Sequence, residues 1–164
     1  MKAIVLFDTL FGNTEKIAAR ITRGLRDAGL EAQVVNIKAA NVGELVTYDL
    51  LAIGAPTQYF TASKPLKEFL DRLKAVDLKG RYGFAFDTKL ESRFSGSAAK
   101  FIEKKLVEHG LEIIRPRVSA IVIDQKKTGK VGETVLKEGM EDLFESIGKE
   151  IGMLLQKAAK PGAA

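Results

Sequence analysis

The stretch IVLFDTLFGNTEKIA, residues 4–18, contains the change of pattern that decides the fold. Residues Ala3 to Phe7 form a continuous apolar run, which is typical of a parallel strand buried on both faces. From Ile17 onward, apolar residues recur at helical spacing. Hydroxyl, glycine and amide residues separate the two patterns, at the point where a strand becomes a helix.

This turn, from Thr9 to Thr14, has the composition of a phosphate site. The start of a helix has unpaired N–H groups and a partial positive charge, which attract phosphate. Thr9 and Thr14 add hydroxyl donors, and Gly12 lets the backbone approach a ligand closely. Asn13 can cap the helix. Taken alone, these residues leave open the alternative of an ordinary helix cap.

Other classes of phosphate-handling protein are excluded by their motifs. The chain contains no GxxxxGK[ST] motif and no GxGxxG after its first strand, so it is neither a P-loop nucleotidase nor a typical dinucleotide binder. A low-molecular-weight phosphatase needs a cysteine in the first turn, and this chain has no cysteine. A receiver domain needs an aspartate after the third strand, where this chain has Gly54, Ala55, Pro56 and Thr57.

Strand and helix patterns alternate along the rest of the chain. Predicted strands are residues 3–7, 33–37, 50–53, 82–86 and 118–123. Helical spacing of apolar residues occurs over 17–28, 66–73, 99–106 and 136–154. This alternation predicts an α/β fold with a five-stranded parallel sheet, doubly wound and three-layered. We expect one domain over residues 1–160 and a flexible tail at 161–164. The stretches 87–94 and 124–135 are predicted to be irregular loops at the carboxyl edge of the sheet, where ligands bind.

Composition excludes several functions. The 164 residues include no cysteine and one histidine, so we expect no thiolate metal site, no histidine metal centre and no catalytic triad. No apolar run approaches the roughly 20 residues of a membrane span, and we expect a cytoplasmic protein without membrane partners. The net charge is +5, but the lysines are scattered with few aromatic residues between them, so no nucleic-acid partner is expected.

Four segments resemble the flavodoxin family. TLFGNT resembles the family's phosphate loop, [ST]-x-T-G-x-T, with matches at Thr9, Gly12 and Thr14; Phe11 replaces the usual third hydroxyl. GAPT after the third strand is similar to the family's G-[ST]-P-T. RFSGSAAKFIEKKLVEHGLEI and LKEGMEDLFESIGKEI are similar to the later parts of the family pattern. The matches are in order over nearly the whole chain and imply a short-chain flavodoxin-like fold with strand order 2-1-3-4-5.

The resemblance implies that FMN is bound without a covalent bond. The implied contacts are Thr9, Leu10, Phe11, Gly12, Asn13 and Thr14 at the phosphate; Pro56 and Thr57 at the ribityl chain or ring edge; Gln58, Tyr59 and Phe60 on one side of the ring; and Asp87, Thr88 and Phe94 from the third loop. A flavin ring is flat and mostly apolar and stacks on aromatic faces. Tyr59 is the best stacking candidate, because it follows a strand end, Gly54 and Pro56. No catalytic residue and no metal ligand is predicted.

The function implied by the resemblance is electron transfer between redox proteins. Because this chain is basic, those partners are expected to have acidic surfaces, and the chain is expected to be a monomer or a weak homodimer. We also expect Lys64, Lys89 and Arg93 to lie near the flavin and to favour its reduced, anionic form. Two alternatives stay open: an FMN-dependent reductase of a quinone or porphyrinogen, and a flavodoxin-like binding module without flavin.

Overall fold

A computed structural model describes residues 1–92, 94–124 and 133–159. The elements in chain order are β1 Lys2–Phe7, α1 Asn13–Asp27, β2 Glu31–Asn36, β3 Leu50–Gln58, β4 Thr61–Ala62, α2 Lys64–Arg72, β5 Tyr82–Leu90, α3 Ala98–Glu108, β6 Glu112–Ile113, β7 Val118–Asp124, β8 Thr134–Leu136 and α4 Met140–Ala159. The predicted tail at 161–164 lies outside the described residues.

The long strands form one sheet in the order β2-β1-β3-β5-β7, and β8 extends it beyond β7. The five long strands pair in parallel. When these five strands alone are numbered along the chain, their order is 2-1-3-4-5, which confirms the prediction. Three short strands were not predicted. β4 pairs antiparallel with β3, β6 pairs parallel with β5, and β8 pairs antiparallel with β7.

The sheet separates two hydrophobic cores, as a three-layered fold requires. Successive side chains of a strand point to opposite faces, so Val5 and Leu6 belong to different cores. Leu6 packs in the core that includes Phe69 of α2 and Ile102 of α3. Val5 packs in the core that includes residues of α1 and α4. No described helix is long and apolar enough to cross a membrane.

The strands β3 and β5 both run farther than the sequence indicated. β3 was predicted to end at Ile53, before Gly54 and Pro56, but it continues to Gln58. A side chain at position 54 would collide with the Phe86 ring, because an added Cβ would lie 2.1 Å from its Cε2 atom. Gly54 therefore lets the two strands stay paired, and the parallel register continues to Pro56 and Thr88. The prediction that 87–94 is irregular throughout is wrong, since β5 ends at Leu90.

The segment before α4 also differs from the prediction. Leu136 matches the helical spacing of the last helix, but it lies in β8, opposite Val122. The backbone N–H of Lys137 donates to the Ile121 carbonyl at 2.9 Å, so strand pairing continues past Leu136 and α4 begins only at Met140. Within the predicted loop 124–135, residues 125–132 lie outside the described residues.

Candidate functional site

A pocket lies at the carboxyl edge of the sheet, between the turn after β1 and the ends of β3 and β5. This is the place at which the sequence predicted a ligand site, since open α/β sheets bind ligands outside the carboxyl ends of their strands. The pocket is lined by Thr9, Leu10, Phe11, Asn13, Thr14, Pro56, Thr57, Gln58, Thr88, Lys89, Leu90, Val122 and Thr134.

The phosphate turn forms one wall of this pocket. Gly12 adopts a left-handed backbone with φ of 87° and occupies the cap position of α1. Its N–H donates to the Thr9 hydroxyl at 3.0 Å, which closes the turn. Because glycine has no side chain, α1 begins without a side-chain cap, and its first amide groups remain available to an anion. Asn13 was expected to be able to cap the helix, but it is the first residue inside α1 and its side chain bonds to Thr134 instead.

The two residues after Gly12 fix the turn to the sheet on both sides. Asn13 and Thr14 are buried. The Asn13 side-chain amide donates to the Thr134 carbonyl at 2.8 Å and to the Thr134 hydroxyl at 3.1 Å. The hydroxyl groups of Thr14 and Thr88 are hydrogen-bonded at 2.9 Å. The turn is thus held by β8 and by β5, which are far away in sequence, and its geometry is preorganised.

Asp8 precedes this turn but does not reach the pocket wall. Its carboxylate is buried and accepts a hydrogen bond from the Ser63 hydroxyl at 2.5 Å. Its backbone N–H donates to the Gly54 carbonyl at 3.0 Å. Asp8 therefore connects the end of β1 to β3 and to the start of α2.

An exposed aromatic hairpin tip lies next to the pocket, directly after the lining residue Gln58. Pro56, Thr57 and Gln58 line the pocket, and the next two residues form the tip of the β3–β4 hairpin. Tyr59 and Phe60 are 92% and 70% exposed, and both have left-handed backbones, with φ of 48° and 69°. Two-residue hairpin turns with positive φ at both positions normally contain Asn-Gly or Asp-Gly. Two aromatic residues here are a strained choice.

Five of the predicted contacts are not among the residues that line the pocket: Gly12, Tyr59, Phe60, Asp87 and Phe94. Asp87 is fully buried. One of its carboxylate oxygens accepts from the Thr57 hydroxyl at 3.0 Å, the Ser97 hydroxyl at 2.8 Å and the Ala99 N–H at 3.0 Å. It is a brace behind the pocket that orients Thr57, because β5 continues through this position and turns the side chain into the interior.

Phe94 is another predicted contact that does not line the pocket. It is 71% exposed and is not among the lining residues. The loop that contains it reaches the hairpin tip through Gly96, which forms an isolated bridge with Phe60. Gly96 has φ of 70°, and a Cβ there would lie 2.2 Å from the Phe60 carbonyl oxygen. The third loop therefore supports the aromatic tip from outside.

Four lining residues were absent from the predicted contacts, namely Lys89, Leu90, Val122 and Thr134. Lys89 forms no ion pair with any described residue, so its charge is available to an anionic ligand. Lys64 does not line the pocket, and its Nζ atom lies 4.0 Å from Glu68 Oε1. Arg93 is not among the described residues. Across the ranges 1–92, 94–124 and 133–159, no group of acidic and histidine side chains could hold a metal ion.

Comparison with known proteins identifies the family. The flavodoxin family model matches residues 5–147. A flavodoxin from Clostridium saccharobutylicum is 30% identical over 89 residues, which is 54% of this chain and 56% of that protein. The match thus spans little more than half of that relative's length. An NAD(P)H dehydrogenase (quinone) from Archaeoglobus fulgidus is 23% identical over 188 aligned positions, 95% of this chain and 98% of that protein.

Comparison of the fold with solved structures also indicates the flavodoxin family, over nearly the whole chain. The solved structure of a flavodoxin from the domain Archaea superimposes with a TM-score of 0.77 at 25% identity, covering 95% of this chain and 99% of that one. Since the family model, the fold and the phosphate turn agree, the chain belongs to the flavodoxin family, whose cofactor is FMN.

Proposed function

We propose that this chain binds FMN in the described pocket and serves as an electron carrier between redox proteins. The observation that supports this most is the uncapped start of α1 at Gly12, with the hydroxyl groups of Thr9 and Thr14 in the same wall. These groups are hydrogen-bond donors suited to a phosphate, and no lysine is needed in the turn itself. The residues present therefore fit the phosphate group of FMN.

The rest of the pocket wall and the hairpin tip beside it fit the other parts of FMN. Pro56, Thr57 and Gln58 offer a mixed polar and apolar wall for the ribityl chain and a ring edge. Tyr59 and Phe60 offer aromatic surface for the flat ring system, which stacks best on other aromatic groups. Asp87 keeps Thr57 in place from behind the wall.

When bound, FMN supplies reversible one- and two-electron redox chemistry. The protein's residues bind and orient it: the helix start and Thr9 hold the phosphate, and the Thr14–Thr88 hydrogen bond keeps that wall fixed. Lys89 contributes a positive charge in the pocket, which favours a more negative ligand. Leu10 and Phe11 are exposed apolar residues beside the site that exclude water from its edge when a partner approaches.

The partners are proposed to be redox proteins with acidic surfaces. Flavodoxins transfer electrons through transient contacts, and contacts of this class are small and steered by charge. The net charge of +5 favours acidic partners. Salt should therefore slow electron exchange with an acidic partner, because screening at high ionic strength weakens steering between exposed charges.

The direct test is the cofactor itself. The protein should be yellow when purified from cells, and the stripped protein should quench the fluorescence of added FMN until one molecule is bound per chain. Reduced protein should then pass electrons to an acceptor protein such as a cytochrome. If stripped protein fails to bind FMN under conditions in which it is folded, the flavin-free binding module becomes the correct alternative.

An FMN-dependent reductase is the second candidate, and it has its own support. The Archaeoglobus relative that aligns over nearly the whole chain is an NAD(P)H dehydrogenase (quinone). Tyr59 and Phe60 give an apolar surface on which a planar quinone or porphyrinogen could stack. Steady oxidation of NADH or NADPH by the FMN-loaded protein with a quinone as acceptor would establish this activity. Electron transfer to proteins without such turnover would leave the carrier as the better description.

A further inference from the structure

Thr134 is the pocket residue whose placement the sequence did not predict. It begins β8, and it lines the pocket together with Thr9, Phe11 and Asn13 of the phosphate turn. Its carbonyl and its hydroxyl both accept hydrogen bonds from the Asn13 side-chain amide, at 2.8 Å and 3.1 Å. An amide nitrogen has two hydrogens, so Asn13 can make both bonds at once and hold Thr134 against the turn.

Among the described residues, the only hydrogen bond of the Thr134 hydroxyl is the one it accepts from Asn13, so its hydrogen is available for donation to a ligand. A threonine hydroxyl has one hydrogen and can also accept hydrogen bonds at its oxygen. The Asn13 amide donates to the hydroxyl oxygen of Thr134. Accepting this hydrogen bond polarises the hydroxyl group and makes it a better donor. A phosphate group has only acceptor oxygens at neutral pH when it is fully ionised, so it is the matching ligand for such a donor.

The turn itself has one hydroxyl fewer than its family pattern, because Phe11 occupies that position. Phe11 is 47% exposed and contributes no side-chain donor. We infer that Thr134 replaces this donor, so that β8 is a second phosphate-binding element beside the turn and Thr134 donates to the FMN phosphate. This inference rests on the proposed binding of FMN.

The test compares two ligands that differ only in the phosphate. FMN and riboflavin share the ring and the ribityl chain, so a residue that binds the phosphate alters the affinity for FMN alone. Thr134→Val removes the hydroxyl at nearly constant shape and suits a strand. Thr134→Ser keeps the hydroxyl and is the matched control. Affinities are measured by fluorescence quenching with stripped protein, and the thermal unfolding midpoint of each variant is recorded.

Thr134→Val should weaken FMN binding roughly tenfold or more, as expected for a hydrogen bond to a charged group, and leave riboflavin binding unchanged. Thr134→Ser should bind both ligands as the unaltered protein does. The phosphorus NMR resonance of bound FMN should move in Thr134→Val and stay in place in Thr134→Ser.

Three results would overturn the inference. Unchanged FMN affinity in Thr134→Val shows that the hydroxyl does not reach the phosphate. Equal losses for FMN and riboflavin show that β8 only supports the pocket, with the unfolding midpoint reporting any wider damage. In both cases the unaltered protein still binds FMN and the proposed function stands. If the unaltered protein binds neither ligand, the proposed function fails as well.

Discussion

The pocket wall at the start of α1 (the phosphate end) and the exposed hairpin tip beside the pocket (the aromatic end) are built in opposite ways. At the phosphate end, Asn13, Thr14 and Thr88 are 6%, 1% and 5% exposed, and each forms a hydrogen bond to a distant element. At the aromatic end, Tyr59 and Phe60 are 92% and 70% exposed on a left-handed backbone. The first end is complete before any ligand arrives, whereas the second exposes apolar surface that only a ligand or partner can cover.

We expect this difference to give the two ends separate tasks when FMN is bound. Preorganised donors avoid the entropy of ordering side chains on binding, so they favour affinity and recognition of a phosphate. Covering exposed aromatic rings with a flat molecule is favourable, because apolar surface is removed from water. Such stacking selects little between flat ligands that differ in their polar groups. We therefore expect changes at the phosphate end to separate FMN from riboflavin, and changes at the aromatic end to affect both ligands equally.

Gly96→Ala should have the largest effect, and it acts on the aromatic end. The new Cβ would lie 2.2 Å from the Phe60 carbonyl oxygen, so the hairpin tip must move. We expect the free energy of unfolding to fall by about 1–3 kcal/mol, and the affinities for FMN and riboflavin to fall together.

Gly80→Ala is the matched control for that substitution. Gly80 also has positive φ, 82°, but an added Cβ would have no neighbour within 4 Å. Gly80→Ala should lower the free energy of unfolding by about 1 kcal/mol, from backbone strain alone. The affinities for FMN and riboflavin should be retained. A Gly96→Ala protein that binds both flavins normally would show that the tip does not depend on the third loop.

Thr14→Val should have the next largest effect, at the phosphate end. It removes a hydroxyl from the pocket wall and leaves Thr88 without its partner at 2.9 Å. FMN affinity should fall roughly tenfold, with a much smaller change for riboflavin. Thr22→Val is the control, because Thr22 is equally buried on α1 but bonds to the Ala18 carbonyl within the helix. Equal losses for the two flavins in Thr14→Val would contradict the separation of tasks.

Lys89→Gln should alter the reduction of bound FMN more than its binding. Removing a pocket cation disfavours the more negative, reduced ligand by about 1 kcal/mol, or roughly 40 mV for a one-electron step. The midpoint potential should therefore become more negative, and the difference should shrink at high salt. Lys79→Gln, at the opposite edge of the sheet before β5, should leave the potential unchanged. An unchanged midpoint potential in Lys89→Gln would show that the charge of Lys89 does not affect the reduction of bound FMN.

Tyr59→Asn should have the smallest effect and should change stability and binding in opposite directions. Asparagine tolerates a left-handed backbone better than tyrosine, so the protein without flavin should gain up to about 1 kcal/mol in its free energy of unfolding. Loss of the ring should weaken FMN and riboflavin alike. Tyr59→Phe keeps the ring and should retain both affinities. A loss of FMN affinity alone in Tyr59→Asn would mean that this residue senses the phosphate.

The sequence predicted a turn with a pocket between β1 and α1, as the structure has it, because that turn is contiguous. Thr9, Gly12 and Thr14 lie within one short segment, and the strand before it and the helix after it have clear hydrophobic patterns. Local pattern and the chemistry of a helix start were enough to place the pocket there.

The rest of the site depends on contacts between distant segments. Thr134 is brought to the turn by a hydrogen bond across 121 positions, and its sequence context favours an ordinary surface loop. The apolar pattern of residues 82–86 predicts a strand that stops before Asp87, whereas β5 continues through this position to Leu90. Gly54 and Pro56 are usual strand breakers, but both are accommodated between paired strands. The hairpin tip at Tyr59 and Phe60 lacks the Asn-Gly signal of such turns, so no local rule predicts it.

The most direct measurement is the affinity of the unaltered, stripped protein for FMN and for riboflavin under the same conditions. If the buried donors at the start of α1 bind the phosphate, each chain binds one FMN, and FMN binds at least tenfold more tightly than riboflavin. Equal affinities would mean that the phosphate end contributes nothing. Absence of binding for both flavins would contradict the assignment of this pocket to FMN.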